Sequence, residues 1–110
     1  MIKWVQFQDS TTDCHWVPVK DINAMLIAGA NDLIVKFRNY TKANLSGDTD
    51  VALSDHTVTI TASGKALALG TDIADYLSGT KVGGGNCLVI KAYGDGISSI
   101  VQSVVFTVGA

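Results

Sequence analysis

The residues able to do chemistry are few, and their spacing decides what each can be asked to do. Cys14 and His15 are neighbours and have the types needed for a thiol nucleophile and its base. Adjacency counts against that use, because successive residues of a strand point to opposite faces and the two side chains would not meet. His56 is the only other histidine, and nothing in the sequence brings it to Cys14. Cys14 therefore reads as a small, semi-buried side chain. Metal ligation fares no better: His15, His56, Cys14, Cys87 and the aspartates are scattered, with no CxxC or HxxxH pair. Gly47-Asp48-Thr49-Asp50 has the acidic spacing of the start of a calcium loop, but the central glycine and closing glutamate are missing; the chain contains no glutamate at all. Gly83-Gly84-Gly85 would cradle a phosphate if it followed a strand and opened a helix. Here it leads into an apolar strand, with Lys81 before it, and reads as a flexible turn. Trp4, Trp16, Tyr40 and Tyr93 offer ring faces on which a sugar or a base can stack. They are dispersed, and each tryptophan adjoins a valine, so they read first as core or interface anchors. No catalytic residue, cofactor or metal site is expected.

The elements that must position these side chains are mostly strands. Residues 2–7 are aromatic and β-branched and open the chain without a helix cap. Residues 15–19 hold the only proline, Pro18, which cannot donate to a ladder and belongs on a sheet edge. Two apolar runs, 22–28 and 33–37, flank Gly29-Ala30-Asn31-Asp32 and predict a hairpin. A helix over 21–30, capped by Asp21, is the rival reading. Residues 39–55 are polar and read as a long exposed loop. Residues 56–61 alternate Thr57, Thr59 and Thr61 with Val58 and Ile60, giving one buried face and one face of hydroxyls. A single short helix is expected over 71–77, with Thr71 as N-cap and Ile73, Ala74 and Leu77 as its apolar stripe. After an apolar strand at 87–93, the turn Gly94-Asp95-Gly96 leads into a last strand over 97–108. On that strand Ile100, Val104, Phe106 and Val108 share one face, and Val101 and Val105 lie on the other. The chain thus reads as one domain, residues 1–110, of the α+β class. It is mostly β, an antiparallel, sandwich-like sheet arrangement with one short helix.

Charge is unusually scarce for a domain that must meet water on its own. Charged residues make up 16% of the 110 residues, against about 25% in ordinary soluble domains. Depletion of charge is what the buried centre of an interface displays. Together with the apolar second face of the last strand, it predicts an assembling subunit that pairs with itself or docks on other protein subunits. The candidate interface residues are Trp4, Trp16, Val101, Val105 and Tyr93. A receptor- or glycan-binding module using the 39–55 loop is the alternative. The net charge is −2 and the densest basic stretch is Lys36, Arg38 and Lys42, too little for a nucleic-acid partner. Apolar runs are too short to span a bilayer, and residues 1–7 lack a signal-peptide pattern. A reducing cytoplasm is expected, so Cys14 and Cys87 read as free thiols, although one bridge remains open on spacing alone.

The layout of the chain resembles small β-rich accessory proteins of tailed bacteriophages, in particular those of marine bacteria and cyanobacteria. The likeness is carried by Met1-Ile2-Lys3-Trp4-Val5-Gln6-Phe7, by Val17-Pro18-Val19 before Asp21-Ile22, by Leu33-Ile34-Val35-Lys36-Phe37 and by Thr57-Val58-Thr59-Ile60-Thr61, followed by a helix and a final strand. It spans most of the chain as a pattern, and residues 39–55 and the long last strand depart from it. The resemblance implies a virion component assembled in the host cytoplasm, a capsid-decorating or cementing subunit whose partners are copies of itself, the major capsid protein or another virion protein. It implies no enzyme.

Overall fold

The computed structural model describes residues 2–10, 13–38, 55–79 and 86–109. Its elements run β1 (Trp4–Ser10), β2 (Asp13–Pro18), β3 (Ile22–Ala28), β4 (Asp32–Phe37), β5 (His56–Thr61), α1 (Ala66–Leu77), β6 (Cys87–Lys91) and β7 (Ser103–Thr107). They form a three-stranded sheet in the order β2-β1-β6 and a four-stranded sheet in the order β3-β4-β5-β7. The mostly β, α+β class expected from the sequence is therefore the architecture, with one refinement. The pairs β1/β2, β3/β4, β4/β5 and β5/β7 are antiparallel, but β1 and β6 run parallel, from Trp4 opposite Cys87 to Gln8 opposite Lys91. A parallel pair cannot be closed by a tight turn, and here the whole four-stranded sheet except β7, together with α1, lies between its two strands in the chain.

The register of the core strands follows their alternation. Val5 and Phe7 of β1, Val17 of β2 and Leu88 and Ile90 of β6 point inward. They meet Leu33, Val35 and Phe37 of β4, Val58 and Ile60 of β5 and Val104 of β7 in one continuous core. β1 lies against β7, while α1 covers β3 and β4. The three-stranded sheet and the helix together thus form the second layer over the inner face of the four-stranded one. The hairpin reading of residues 22–37 is correct, and its rival helix is not formed. Pro18 ends β2 on a sheet edge, where a missing donor costs no ladder bond.

Two expectations are corrected. The helix begins at Ala66, five positions before the expected Thr71, and no side chain caps it. What holds it is burial of Ala66, Leu69 and Ile73 on one face. A lone helix of this length is marginal in water, whereas each buried Leu or Ile contributes about 1.5–3 kcal/mol. Gly70, one position before the expected start, sits inside the helix, which approaches Leu33 closely there; a Cβ at that position would lie 3.2 Å from Leu33 Cδ1. The last strand is also shorter than expected. Residues Gly96–Ile100 form a 3-10 turn, and the strand itself is only Ser103–Thr107. Val101 follows that turn with its N–H donated to the Ser98 carbonyl, and its side chain is fully buried in this chain's own core. It is not available to an interface, contrary to the sequence reading.

Ser98 holds the turn to the sheet. Its hydroxyl donates to the Val89 carbonyl (3.0 Å) and accepts from the Lys91 N–H (3.2 Å), and the residue is buried. Gly94 is obligatory beside it, since a Cβ there would stand 2.8 Å from both Lys91 Cγ and Ser98 Cβ. Removing the hydroxyl leaves a donor and an acceptor of β6 without partners. Ser98→Ala is expected to destabilise the domain by about 1–3 kcal/mol, read as a lower urea midpoint at unchanged m-value. Ser98→Ala at wild-type stability would show that the turn is held by something else.

Candidate functional site

The two histidines do come together, at the end of the sandwich where β4 finishes and β5 starts. His15 leaves β2 on its inner face and stacks on Phe106, ring centroids 3.8 Å apart and 14° from parallel. His56 tilts against both Phe106 and Phe37, at 5.5 and 5.6 Å, and Phe37 stacks at 6.4 Å on Phe7. His56 Nδ1 accepts the Gly109 N–H at 3.0 Å, which leaves Nε2 to carry the proton of the neutral ring. His15 Nε2 is 3.2 Å from Asp13 Oδ1, yet it is buried and off any hydrogen-bonding direction. Cys14, one residue away, faces the opposite side of the sheet and pairs across from Gln8. Thiol and imidazole therefore do not meet, and both histidines serve as flat packing surfaces. Beside them Trp16, Asp21, Arg38 and His56 line a cleft of about 250 Å³. Asp21 is buried, and its carbonyl accepts the Arg38 N–H at 2.9 Å. Among the described residues no three of His, Cys and Asp gather as metal ligands, and no helix is long and apolar enough to cross a membrane. Neither Cys14 nor Cys87 is in a disulfide. Asp48, Asp50, Gly83, Gly84, Gly85, Tyr40 and almost all of the 39–55 loop lie outside the described residues.

Two open sheet faces remain. On the three-stranded sheet, the inward turn of Val5, Phe7 and Val17 forces Trp4, Gln6 and Gln8 of β1 and Trp16 of β2 outward. Trp4 is 44% and Trp16 58% exposed. Trp4 stands opposite Pro18 and Trp16 opposite Gln6, so the indoles occupy a diagonal of neighbouring strands. Gln8 Nε2 donates to Gln6 Oε1 at 2.7 Å along the same row. Tyr93, just beyond β6, is 77% exposed and held at φ 53°, a left-handed backbone for which a tyrosine gains nothing by packing. The tryptophans and Tyr93 thus do lie on the surface, as interface candidates must.

On the four-stranded sheet, the outer rows run Ala24–Lys36–Thr57–Thr107, Leu26–Ile34–Thr59–Val105 and Ala28–Asp32–Thr61–Ser103. Val105 is 48% and Leu26 38% exposed. Asp32 and Lys36 are the only charges in these rows, and Asp32 accepts the Thr61 hydroxyl at 2.8 Å. The hydroxyl face expected of residues 56–61 is one strip of this surface. The parity of Leu26 and Ile34, unremarked in the sequence, completes it.

If the histidines are packing surfaces, their aromatic shape should matter and their nitrogens should not. His15→Phe is expected to stay within about 1 kcal/mol of the parent, because it keeps the stack and removes a buried nitrogen without a hydrogen bond. His15→Ala should cost about 2 kcal/mol through the lost contact and cavity, and both are read from chemical denaturation. Equal losses for the two variants would mean the imidazole nitrogen carries the interaction. Comparison with known proteins finds no matching family model, no matching characterised protein and no matching solved structure.

Proposed function

We propose that this protein is a non-catalytic assembly subunit that docks through the outer face of its four-stranded sheet. The observation carrying this reading is the central row of that face, Leu26–Ile34–Thr59–Val105, which is apolar apart from one hydroxyl and open at both of its ends. Charge scarcity in the sequence has a local counterpart here, with one lysine and one hydrogen-bonded aspartate over three rows. Such a face mates naturally with a second sheet at a shallow angle, side chains interdigitating.

Its size sets the strength. Four strands spaced about 4.8 Å apart and five to seven residues long give a face of roughly 400 Å². A standard stable complex buries about 800 Å² per partner. One face-to-face contact is therefore weak, and it becomes useful where many copies sit on a repeating lattice and engage together. A virion accessory subunit, decorating or cementing a phage capsid, is the particular role we infer from this combination and from the likeness of the sequence pattern.

The test is concentration-dependent NMR and sedimentation on the purified chain. Amide shifts of Leu26, Ile34, Thr59 and Val105 should move together from low to high micromolar concentration, and Val105→Lys should abolish the movement while leaving the denaturation midpoint within about 0.5 kcal/mol. A chain that stays monomeric at millimolar concentration, with those four amides unmoved, overturns the reading.

A further inference from the structure

We propose that the opposite face, on the three-stranded sheet, binds an acidic oligosaccharide, a chain of pyranoses bearing carboxylates. Trp4 is the shared wall of two adjoining hollows. One, of about 310 Å³, runs between Trp4, Trp16 and Cys87. The other, of about 570 Å³, is floored by Ile2, Pro18 and Val19 and flanked by Lys3 and Lys20. Together they make an open trough that passes over one indole and alongside the next. Residues diagonal on neighbouring strands lie about 7–8 Å apart, a spacing that presents two flat surfaces to one extended chain.

The chemistry selects the ligand. Neither indole is stacked on another aromatic ring among the described residues, and both are substantially exposed, so each offers ring surface to the C–H face of a sugar. The Gln6–Gln8 amide pair beside them keeps donor and acceptor positions free for hydroxyls after its internal bond is made. Among the described residues, every charge in the outward rows of this sheet and in its hollows is positive: Lys3, Lys20 and, on the β6 row opposite Gln8, Lys91. Among the described residues neither Lys3 nor Lys20 is in an ion pair, whereas Asp21, next to Lys20, is turned inward. A chain of net charge −2 has thus gathered cations around its two exposed indoles. An aliphatic ligand would need a site that encloses most of its surface, which an open trough does not provide. A single-stranded nucleic acid would need a longer cationic track than three lysines supply.

The chain has only two tryptophans, Trp4 and Trp16, so intrinsic fluorescence reads the site directly. The protein is titrated with oligogalacturonate and oligomannuronate, with neutral maltooligosaccharide, with oligothymidylate and with an aspartate-rich peptide. The uronates should shift the emission saturably, and the neutral chain should bind roughly tenfold more weakly. Lys3→Gln with Lys20→Gln, both exposed positions, should erase that difference, and Trp16→Ala should cost roughly tenfold against both sugars. Val105→Lys should leave binding unchanged, which separates this site from the assembly face. No fluorescence response to either uronate, or tighter binding of the oligothymidylate or the peptide, overturns the proposal.

Discussion

Everything outward-facing on this molecule is a consequence of which side chains the central strand β1 must bury. Val5 and Phe7 enter the core from β1, and the strand is held on one edge by β2 and on the other by β6. With a period of two residues, burying Val5 and Phe7 leaves Trp4, Gln6 and Gln8 no direction except away from the core. A slip of β1 by one residue would put Trp4 and both glutamines inside and Val5 and Phe7 outside, so the register is strongly specified. The same rule acts on the other sheet, where burial of Leu33, Val35, Val58 and Ile60 turns Ile34 and Thr59 to the surface. The two exposed faces are the unavoidable complements of one core.

How much of this was legible depended on whether the signal was local. The hairpin of β3 and β4 could be read because two apolar runs and a Gly-Asn-Asp turn lie within sixteen residues of sequence. β5 could be read because Thr57-Val58-Thr59-Ile60-Thr61 alternates without exception. The start of α1 could not, since Gly70 is a poor helix former and the sequence does not display the Leu33 methyl that makes a glycine useful there. The parallel pairing of β1 with β6 was out of reach for a different reason. Its partners are about eighty residues apart, and parallel strands leave no turn motif to betray them.

The candidate surface was legible in type but not in place. Trp4, Trp16, Val105 and Tyr93 are exposed, and charge depletion pointed toward faces of this kind. Val101 misled because alternation was extended back past Ser103, where the ladder begins; Val101 is held instead by Ser98 and Tyr93, through its N–H on the Ser98 carbonyl and the Tyr93 N–H on its own carbonyl. Lys3, Lys20 and the glutamines were missed because each is an ordinary surface residue on its own. Only the meeting of the start of β1 with the end of β2, sealed by the Val19 N–H on the Lys3 carbonyl at 3.0 Å, brings the two lysines to one hollow.

Four edge strands accompany the two faces, and their construction bears on how copies of the chain would meet. An unpaired edge is a template for another strand unless something blunts it. β2 ends in Pro18, and its pairing with β1 shifts register between Gln8 and Ser10. β3 carries a comparable irregularity between Ile22 and Ala24, and β6 and β7 are only five residues long. Bulges twist an edge away from a straight partner, proline withholds a donor, and short strands offer few bonds. Each of the four edges is thus discouraged from extending its sheet into a neighbouring chain. The outer rows of the larger sheet carry no comparable device: no proline, no bulge, and only two charges, Asp32 and Lys36. Association by side-chain packing of faces, rather than by continuation of the backbone ladder, is the mode this distribution of obstacles favours. It also answers why a chain so sparing of charge need not polymerise: ladder growth repeats without limit, whereas two faces pressed together are used up.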